Sequence, residues 1–249
     1  MIVREHSHSM IAELKIERLW KNFGGLTAVG DCSFHVGANE IVGLIGPNGS
    51  GKTTLFNIIT GLLRPDAGEV FFRNRRIDRL PPYRIAQLGI GRTFQRVRIF
   101  RELSLMENMA VASMAQRHPN WVERAVHWLS FVKLAEKREE IARNLSFGQQ
   151  RLLEIAMALI SDPPFLMLDE PVSGVHPSTR GALSDLIQEL CESGKSILLI
   201  EHDIPFVMAT CHRVVVLHHG KKLAEGPPAV IQQDNAVIEA YLGGQCREA

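Results

Sequence analysis

The sequence predicts an α/β protein with a mainly parallel sheet, preceded by a β-rich segment and interrupted by a helical one. Three observations carry this. Short apolar runs, "EIVGLI", "FLMLDE", "SILLIEHD" and "RVVVLHHGKKLAEG", read as strands buried on both faces, the last as a strand or hairpin. Helical stretches, "TTLFNIITGLL", "TRGALSDLIQELCES" and "FVMATC", alternate with them, as parallel strands require. Between about residues 84 and 158 helical periodicity takes over, with "NWVERAVHWLSFVKL" as an amphipathic helix, so this middle reads as an insertion into the sheet.

Taken in order, residues 11–45 are β-rich: "AELKIERLW" alternates, "DCSFHV" follows, and "EIVGLI" is a buried strand. The helix "TTLFNIITGLL" closes at "RPDAGE", where Pro65 and Gly68 mark a turn, and "VFFRNRRI" reads as one strand reaching another turn. No repeat, low-complexity tract, long linker or sustained heptad interrupts the pattern.

Bulk properties exclude several function classes. The 249 residues suffice for a sizeable core, and 45% hydrophobic with 22% charged residues is ordinary for a soluble chain. A net charge of +1 gives no global field for nucleic acid or anionic lipid. Cys32, Cys191, Cys211 and Cys246 are scattered, which suits reduced cytosolic thiols rather than disulfides or zinc. The opening "MIVREHSHSM" lacks the apolar core of a signal peptide, and no apolar run nears the roughly 20 residues of a membrane span. The expectation is a soluble chain that reaches a membrane only through a partner.

The first chemistry-bearing motif is Gly46-Pro47-Asn48-Gly49-Ser50-Gly51-Lys52-Thr53, which fits G-x-x-x-x-G-K-[ST] between a strand and a helix. Its glycines let the backbone wrap phosphates with N–H groups pointing inward. Lys52 is expected to reach the β- and γ-phosphates of a nucleoside triphosphate, and the Thr53 hydroxyl to ligate Mg²⁺, with Thr54 following. Asp169 and Glu170 end the run "FLMLDE", where ligands of open α/β sheets gather. Asp169 suits Mg²⁺, through water, and Glu170 suits proton abstraction from the attacking water. In isolation the pair would equally suit a polar strand end capped by Pro171; the nearby phosphate loop favours chemistry.

A second anion site is written in "LSFGQQ". Ser146 and Gly148 stand ahead of the helix "RLLEIAMALI", where free N–H groups and the helix dipole favour negative charge. Ser146 with Gln149 also makes an S-x-x-Q capping box, compatible with anion binding.

In this order and spacing, "GPNGSGKTT", "LSFGQQ", "LMLDEP" and "LLIEHD" resemble an ABC-type ATPase subunit over nearly the whole chain. The resemblance implies a P-loop NTPase core, an N-terminal antiparallel β subdomain and an inserted α-helical subdomain. It places the α/β core at 11–94 and 160–249 and the helical subdomain at 95–159, with residues 1–10 flexible. It further implies two subunits packed head to tail, with Ser146 and Gly148 of one touching the γ-phosphate held by the other. Phe23 matches the aromatic that stacks on adenine, the alternative being a core residue. Gln95 in "GRTFQ" matches the loop glutamine that senses Mg²⁺ and γ-phosphate, and His202 the switch histidine at the γ-phosphate. Two positions depart from the family pattern: Phe147 stands where glycine is usual, and His176 of "SGVHP" where Asp or Asn is common.

"GIGRTFQ", "LSFGQQR" and "AYLGG" look like ATPase subunits of branched-chain amino-acid importers. That implies a homodimer, or a heterodimer with a paralogous ATPase, on the inner face of the membrane. Two permease subunits and, indirectly, a substrate-binding protein complete the expected assembly, with no nucleic acid. Lipid or lipopolysaccharide export is the alternative. A DNA-repair ABC ATPase would carry a long coiled coil, and a non-hydrolysing subunit would lack Lys52, Asp169, Glu170 or His202.

Overall fold

The computed structural model describes residues 12–114 and 119–245; the flexible N-terminus expected at 1–10 and Cys246 lie outside them. In chain order the first elements are β1 (Ala12–Phe23), β2 (Leu26–Gly37), β3 (Ile41–Ile45), α1 (Lys52–Ile59), β4 (Ala67–Phe72), β5 (Arg75–Arg76), α2 (Pro82–Gln87) and β6 (Ile90–Arg92). Three helices follow, α3 (Leu105–Ser113), α4 (Trp121–Phe131) and α5 (Phe147–Leu159), with two short 3-10 turns before α5. The rest alternates: β7 (Phe165–Asp169), α6 (Pro177–Glu192), β8 (Ser196–Ile200), α7 (Ile204–Thr210), then β9 (Arg213–His218), β10 (Lys221–Gly226), α8 (Pro228–Ile231) and α9 (Asn235–Gln245).

Two sheets result. The antiparallel one has the order β2-β1-β4-β5, and the larger one β10-β9-β3-β8-β7-β6, parallel except for the β9–β10 hairpin. The continuous apolar runs have a simple cause: alternate residues of each parallel strand enter different cores. Ile41, Leu166, Leu168, Ile197, Leu199 and Val214 pack with α3 to α7 on one face. Val42, Leu44, Met167, Leu198, Ile200 and Val215 pack on the other with α1 and the antiparallel sheet. Every one of these twelve is at most 1% exposed, so neither face tolerates a polar alternation. Burying each aliphatic side chain is worth about 1.5–3 kcal/mol.

Helices α3, α4 and α5 contact one another. Two local expectations are corrected. Residues 90–92, inside the stretch read as helical, form β6, an edge strand three residues long that exists because β7 offers it a parallel partner. "VFFRNRRI" is a hairpin rather than one strand, because Arg73 (φ 49°) and Asn74 (φ 63°) turn the chain in left-handed geometry.

The central strand β3 lies between β8 and β9, with β7 beyond β8. The carboxyl ends of β3, β7 and β8 therefore open side by side onto the loops that begin at Gly46, Glu170 and Glu201. Among the described residues, no helix is long and apolar enough to cross a membrane.

Candidate active site

The loop after β3 is shaped by its glycines. Gly46 (φ 149°), Gly49 (φ 76°) and Gly51 (φ 103°) all hold positive φ. A Cβ on Gly46 would run into the Leu217 carbonyl, and one on Gly51 into the Ala28 carbonyl. The loop is thus pressed between β2 and the end of β9, and is tied there by Gly220 N–H donating to Ser50 O (3.1 Å) and Gly30 N–H to Gly220 O (2.8 Å). Gly51, the residue preceding α1, supplies no side-chain cap, so the first N–H groups of α1 keep their free donors.

Lys52 is 9% exposed and turns its ammonium back into the loop, donating to Gly46 O (2.8 Å) and Pro47 O (2.9 Å), with Ser50 Oγ at 3.4 Å. Burial lowers its pKa, and the charge of Glu170 opposes that shift. Asn48, Gly49 and Thr53 are exposed, Thr54 half-buried. From the C-terminal helix α9, Tyr241 lies near the same loop; burial raises its phenol to about 12, against a weak lowering by the Gly46 N–H. Among the described residues its hydroxyl has no partner at hydrogen-bond geometry.

Asp169 ends β7 and is 3% exposed. Its N–H donates to Thr93 Oγ1 (3.1 Å), and its Oδ2 accepts from Arg92 Nη2 (3.2 Å). Desolvation raises the Asp169 pKa and Arg92 counteracts it. Arg92 also donates to Asn57 Oδ1 (2.9 Å) and Thr60 Oγ1 (2.8 Å) of the α1 region, so it links α1, β6 and β7 around that carboxylate.

Glu170 adopts φ 50°, a left-handed conformation uncommon for a side chain of this size, held by its N–H donating to Ile200 O (2.9 Å). Its carboxylate meets two of the residues expected at the site. Gln95 Nε2 donates to Glu170 Oε2 (3.3 Å), and His202 Nδ1 lies 3.7 Å from Glu170 Oε1. Three residues from three separate loops thus converge at the carboxyl ends of the parallel strands, where ligands of open α/β sheets gather.

Ser146 and Gln149 form the expected capping box of α5: Gln149 N–H donates to Ser146 Oγ (3.3 Å) and Ser146 N–H to Gln149 Oε1 (3.1 Å). Within the chain, Ser146, Gly148 and Gln149 gather with residues 174–176 around a separate cavity that no residue of the 46–54 loop lines. Phe23 is 47% exposed at the tip of the β1–β2 hairpin, with the Lys21 ammonium 5.6 Å from its ring centre, and is not a core residue. His176 caps α6, its Nδ1 accepting from Ser178 N–H (3.3 Å). An Asp or Asn would make the same cap, which explains how histidine is accommodated there.

Sequence reasoning missed three supports of this site. Glu201, 0% exposed, accepts from Val172 N–H (2.9 Å), His202 N–H (3.0 Å) and Asp203 N–H (3.3 Å), fixing the loops after β7 and β8 together. Burial raises its pKa, against those three donors. The pair Arg151–Glu154 (2.7 Å), fully buried on α5, holds the Gln95 loop: Arg151 donates to Phe94 O (2.7 Å) and Gln95 O (2.9 Å), while Glu154 Oε1 accepts from Phe94 N–H and Arg98 N–H (3.2 Å each). Arg92 is the third. The available signal was a charged residue inside an apolar strand or helix pattern.

The chain from Val29 to Ser173, more than half its length, matches the sequence profile described as ABC transporter. The chain belongs to the ABC transporter ATPase family. ATP binding and hydrolysis belong to that family, and this ABC subunit carries a second match, at residues 221–246, to the profile described as branched-chain amino acid ATP-binding cassette transporter. It is 42% identical over 248 residues to the high-affinity branched-chain amino acid transport ATP-binding protein LivG of Salmonella typhimurium, spanning 92% of this chain and 97% of that protein. The lipopolysaccharide export system ATP-binding protein LptB of Acidithiobacillus ferridurans is 37% identical, spanning 93% and 97%. Among solved structures, the ADP conformation of the ATP-binding cassette MJ1267 superposes with a TM-score of 0.88 at 32% identity, over 93% of this chain and 99% of that one. A dimeric post-hydrolysis state of the cassette MJ0796, bound to ADP and phosphate, gives a TM-score of 0.77 at 27% identity, over 86% and 98%.

Proposed function

We propose that this chain is the ATP-hydrolysing subunit of an ABC importer that moves branched-chain amino acids or a related small solute across the cell membrane. The observation that carries the chemistry is the convergence of Gln95, Glu170 and His202 beside the loop that cages Lys52. In this reading residues 11–94 and 160–249 form the nucleotide-binding core and 95–159 the helical subdomain.

ATP is held by Gly46, Asn48, Gly49, Ser50, Gly51, Lys52, Thr53 and Thr54, mostly through backbone N–H groups, with its adenine on the exposed Phe23. Lys52 exchanges its two loop carbonyls for β- and γ-phosphate oxygens, a stronger, charge-assisted pairing. Mg²⁺, when bound, neutralises phosphate charge. Thr53 would hold it directly, Asp169 through water, and Gln95 from the loop. Such a donor set fits a cation that takes one or two protein carboxylates plus substrate phosphates; among the described residues no cluster of three or more His, Cys, Asp or Glu could hold a metal unaided. Arg92 keeps one Asp169 oxygen oriented. Glu170 accepts the proton of the attacking water, and His202 stabilises the γ-phosphate.

Ser146, Gly148 and Gln149 reach the nucleotide of a second subunit, either another copy or a paralogous ATPase. Two permease subunits hold the pair at the inner membrane face, with a substrate-binding protein delivering the solute. The test is reconstitution. The chain is co-purified with its permeases, placed in proteoliposomes, and assayed for ATP-driven uptake of labelled leucine, isoleucine and valine. Uptake that disappears in Lys52→Ala supports the reading. Absence of uptake, with ATP-dependent extraction of lipopolysaccharide instead, replaces it by export.

A further inference from the structure

Phe147 is the first residue of α5, between Ser146 and Gly148, and is 47% exposed. Its ring lies directly on Gly174. A Cβ at Gly174 would sit 2.5 Å from Cε1, 2.7 Å from Cδ1 and 3.2 Å from Cζ of that ring. Gly148 adjoins the same turn, since its own Cβ would stand 3.9 Å from Val175 Cγ1. Residues 147–148 are thus packed on residues 174–175.

The turn beneath the ring is short and internally bonded. Ser173 N–H donates to Glu170 O (3.1 Å) and Val175 N–H to Val172 O (3.0 Å), so only three residues of compact backbone, Pro171 to Ser173, separate Gly174 from Glu170. Glu170 is itself in left-handed geometry, and the turn ends at His176, the α6 cap. A displacement of Gly174 has few soft dihedrals to absorb it before it reaches Glu170.

We propose that Phe147 is a positioning residue that fixes the 173–176 turn, and through it Glu170, relative to the Ser146–Gly148 loop of the same chain. The inference rests on the reading above, in which Ser146 and Gly148 face the second subunit's nucleotide while Glu170 serves the chain's own. The ring is then a mechanical contact between two nucleotide sites. Arrival of the partner's nucleotide at Ser146 presses on the turn that carries the base of the other site. The contact is separable from folding, because the ring is half in solvent and borders a cavity of about 500 Å³.

The test uses the complex with its permeases and the variants Phe147→Ala, Phe147→Tyr, Gly174→Ala and the double variant Phe147→Ala/Gly174→Ala. Phe147→Ala is expected to lower kcat about 10- to 100-fold, the scale for displacing a reacting group by about 1 Å. KM for ATP should stay within about threefold, and Tm within about 3 °C. Phe147→Tyr restores kcat. Gly174→Ala is more damaging, because its methyl meets the ring and φ is 73°. The backbone strain is common to Gly174→Ala and the double variant, so their difference isolates the ring: the double variant should recover part of the kcat lost in Gly174→Ala, while staying below Phe147→Ala. Unchanged kcat in Phe147→Ala, a matching rise in KM, a large fall in Tm, or no recovery in the double variant overturns the inference. Ser146→Arg, run in parallel, separates the two readings. If it is inactive while Phe147→Ala is normal, only the positioning role falls; if it turns over normally, the two-subunit site falls with it.

Discussion

Replacing Glu170 by Gln removes a proton acceptor while keeping the shape of the site. The amide occupies the same volume, can still accept from Gln95 Nε2 at the 3.3 Å contact, and leaves the left-handed backbone at φ 50° unchanged. Nothing in the caging of Lys52 by Gly46 O and Pro47 O involves the Glu170 side chain, so ATP binding at neutral pH persists. What is lost is general-base assistance, about 10²–10⁴-fold in turnover. At about 1.36 kcal/mol per decade that is an added barrier of roughly 3–5 kcal/mol. A secondary effect follows from charge. Burial lowers the Lys52 pKa and Glu170 raises it, so the variant's ATP binding should fail at a lower alkaline pH than the wild type's. Steady-state and single-turnover phosphate release by the permease complex measure the first effect. Binding of a fluorescent ATP analogue across the alkaline range measures the second. Trapped ATP should also hold the subunits together on size-exclusion chromatography. Turnover near wild type would show that Glu170 is not the base, and loss of ATP binding would show that the site has been damaged rather than disarmed.

Lys52→Ala should abolish tight ATP binding, read by calorimetry, because no other cation in the loop replaces the ammonium. Mixed with Ser146→Arg chains it should recover part of the ATPase activity, since one of the two composite sites is then intact; with subunit exchange verified by differently tagged chains, no recovery at any ratio would reduce Ser146 to a helix cap. Gly51→Ala forces a methyl against the Ala28 carbonyl at φ 103°, and should cost about 1–3 kcal/mol of stability together with nucleotide binding, measured by thermal unfolding with and without ATP. Arg213→Met tests acid stability. Burial raises Glu40, but the paired Arg213 guanidinium (2.8 Å to each oxygen) and the Gly37 N–H outweigh it, and its folded-state pKa is lowered. A lowered folded-state pKa stabilises above the unfolded value and is lost as pH falls through the folded one. The variant should therefore unfold in acid at a higher pH than the wild type; equal midpoints would show that the pair contributes nothing.

The parallel strands were legible because burial on both faces leaves an apolar run that a half-exposed sheet could not carry. The Gly46–Thr53 loop was legible because each residue answers a local demand: positive φ, a close carbonyl, an ammonium within reach. The α5 cap was readable for the same reason, since Ser146 and Gln149 are three residues apart. Features that depend on distant partners were not. Arg92 finds Asp169 across 77 positions, and Arg151 finds Phe94 across 57, separations at which no periodicity speaks. Strand β6 has three residues, too few to show a period, and is defined by β7 rather than by its own composition. The ring of Phe147 could be named as a departure from the family pattern, but its contact with Gly174 requires the fold.

The tie between Ser50 and Gly220 also bears on how the protein comes to life on the ribosome. The phosphate-binding loop is synthesised early, yet the backbone group that receives it is made 170 residues later. At about 5–20 residues per second, that interval lasts roughly 10–30 s. For most of it both neighbours of β3, the strands β8 and β9, are missing as well. A nascent chain therefore lacks the contacts that hold this loop in place until it is nearly complete, and a product truncated before β9 never gains them.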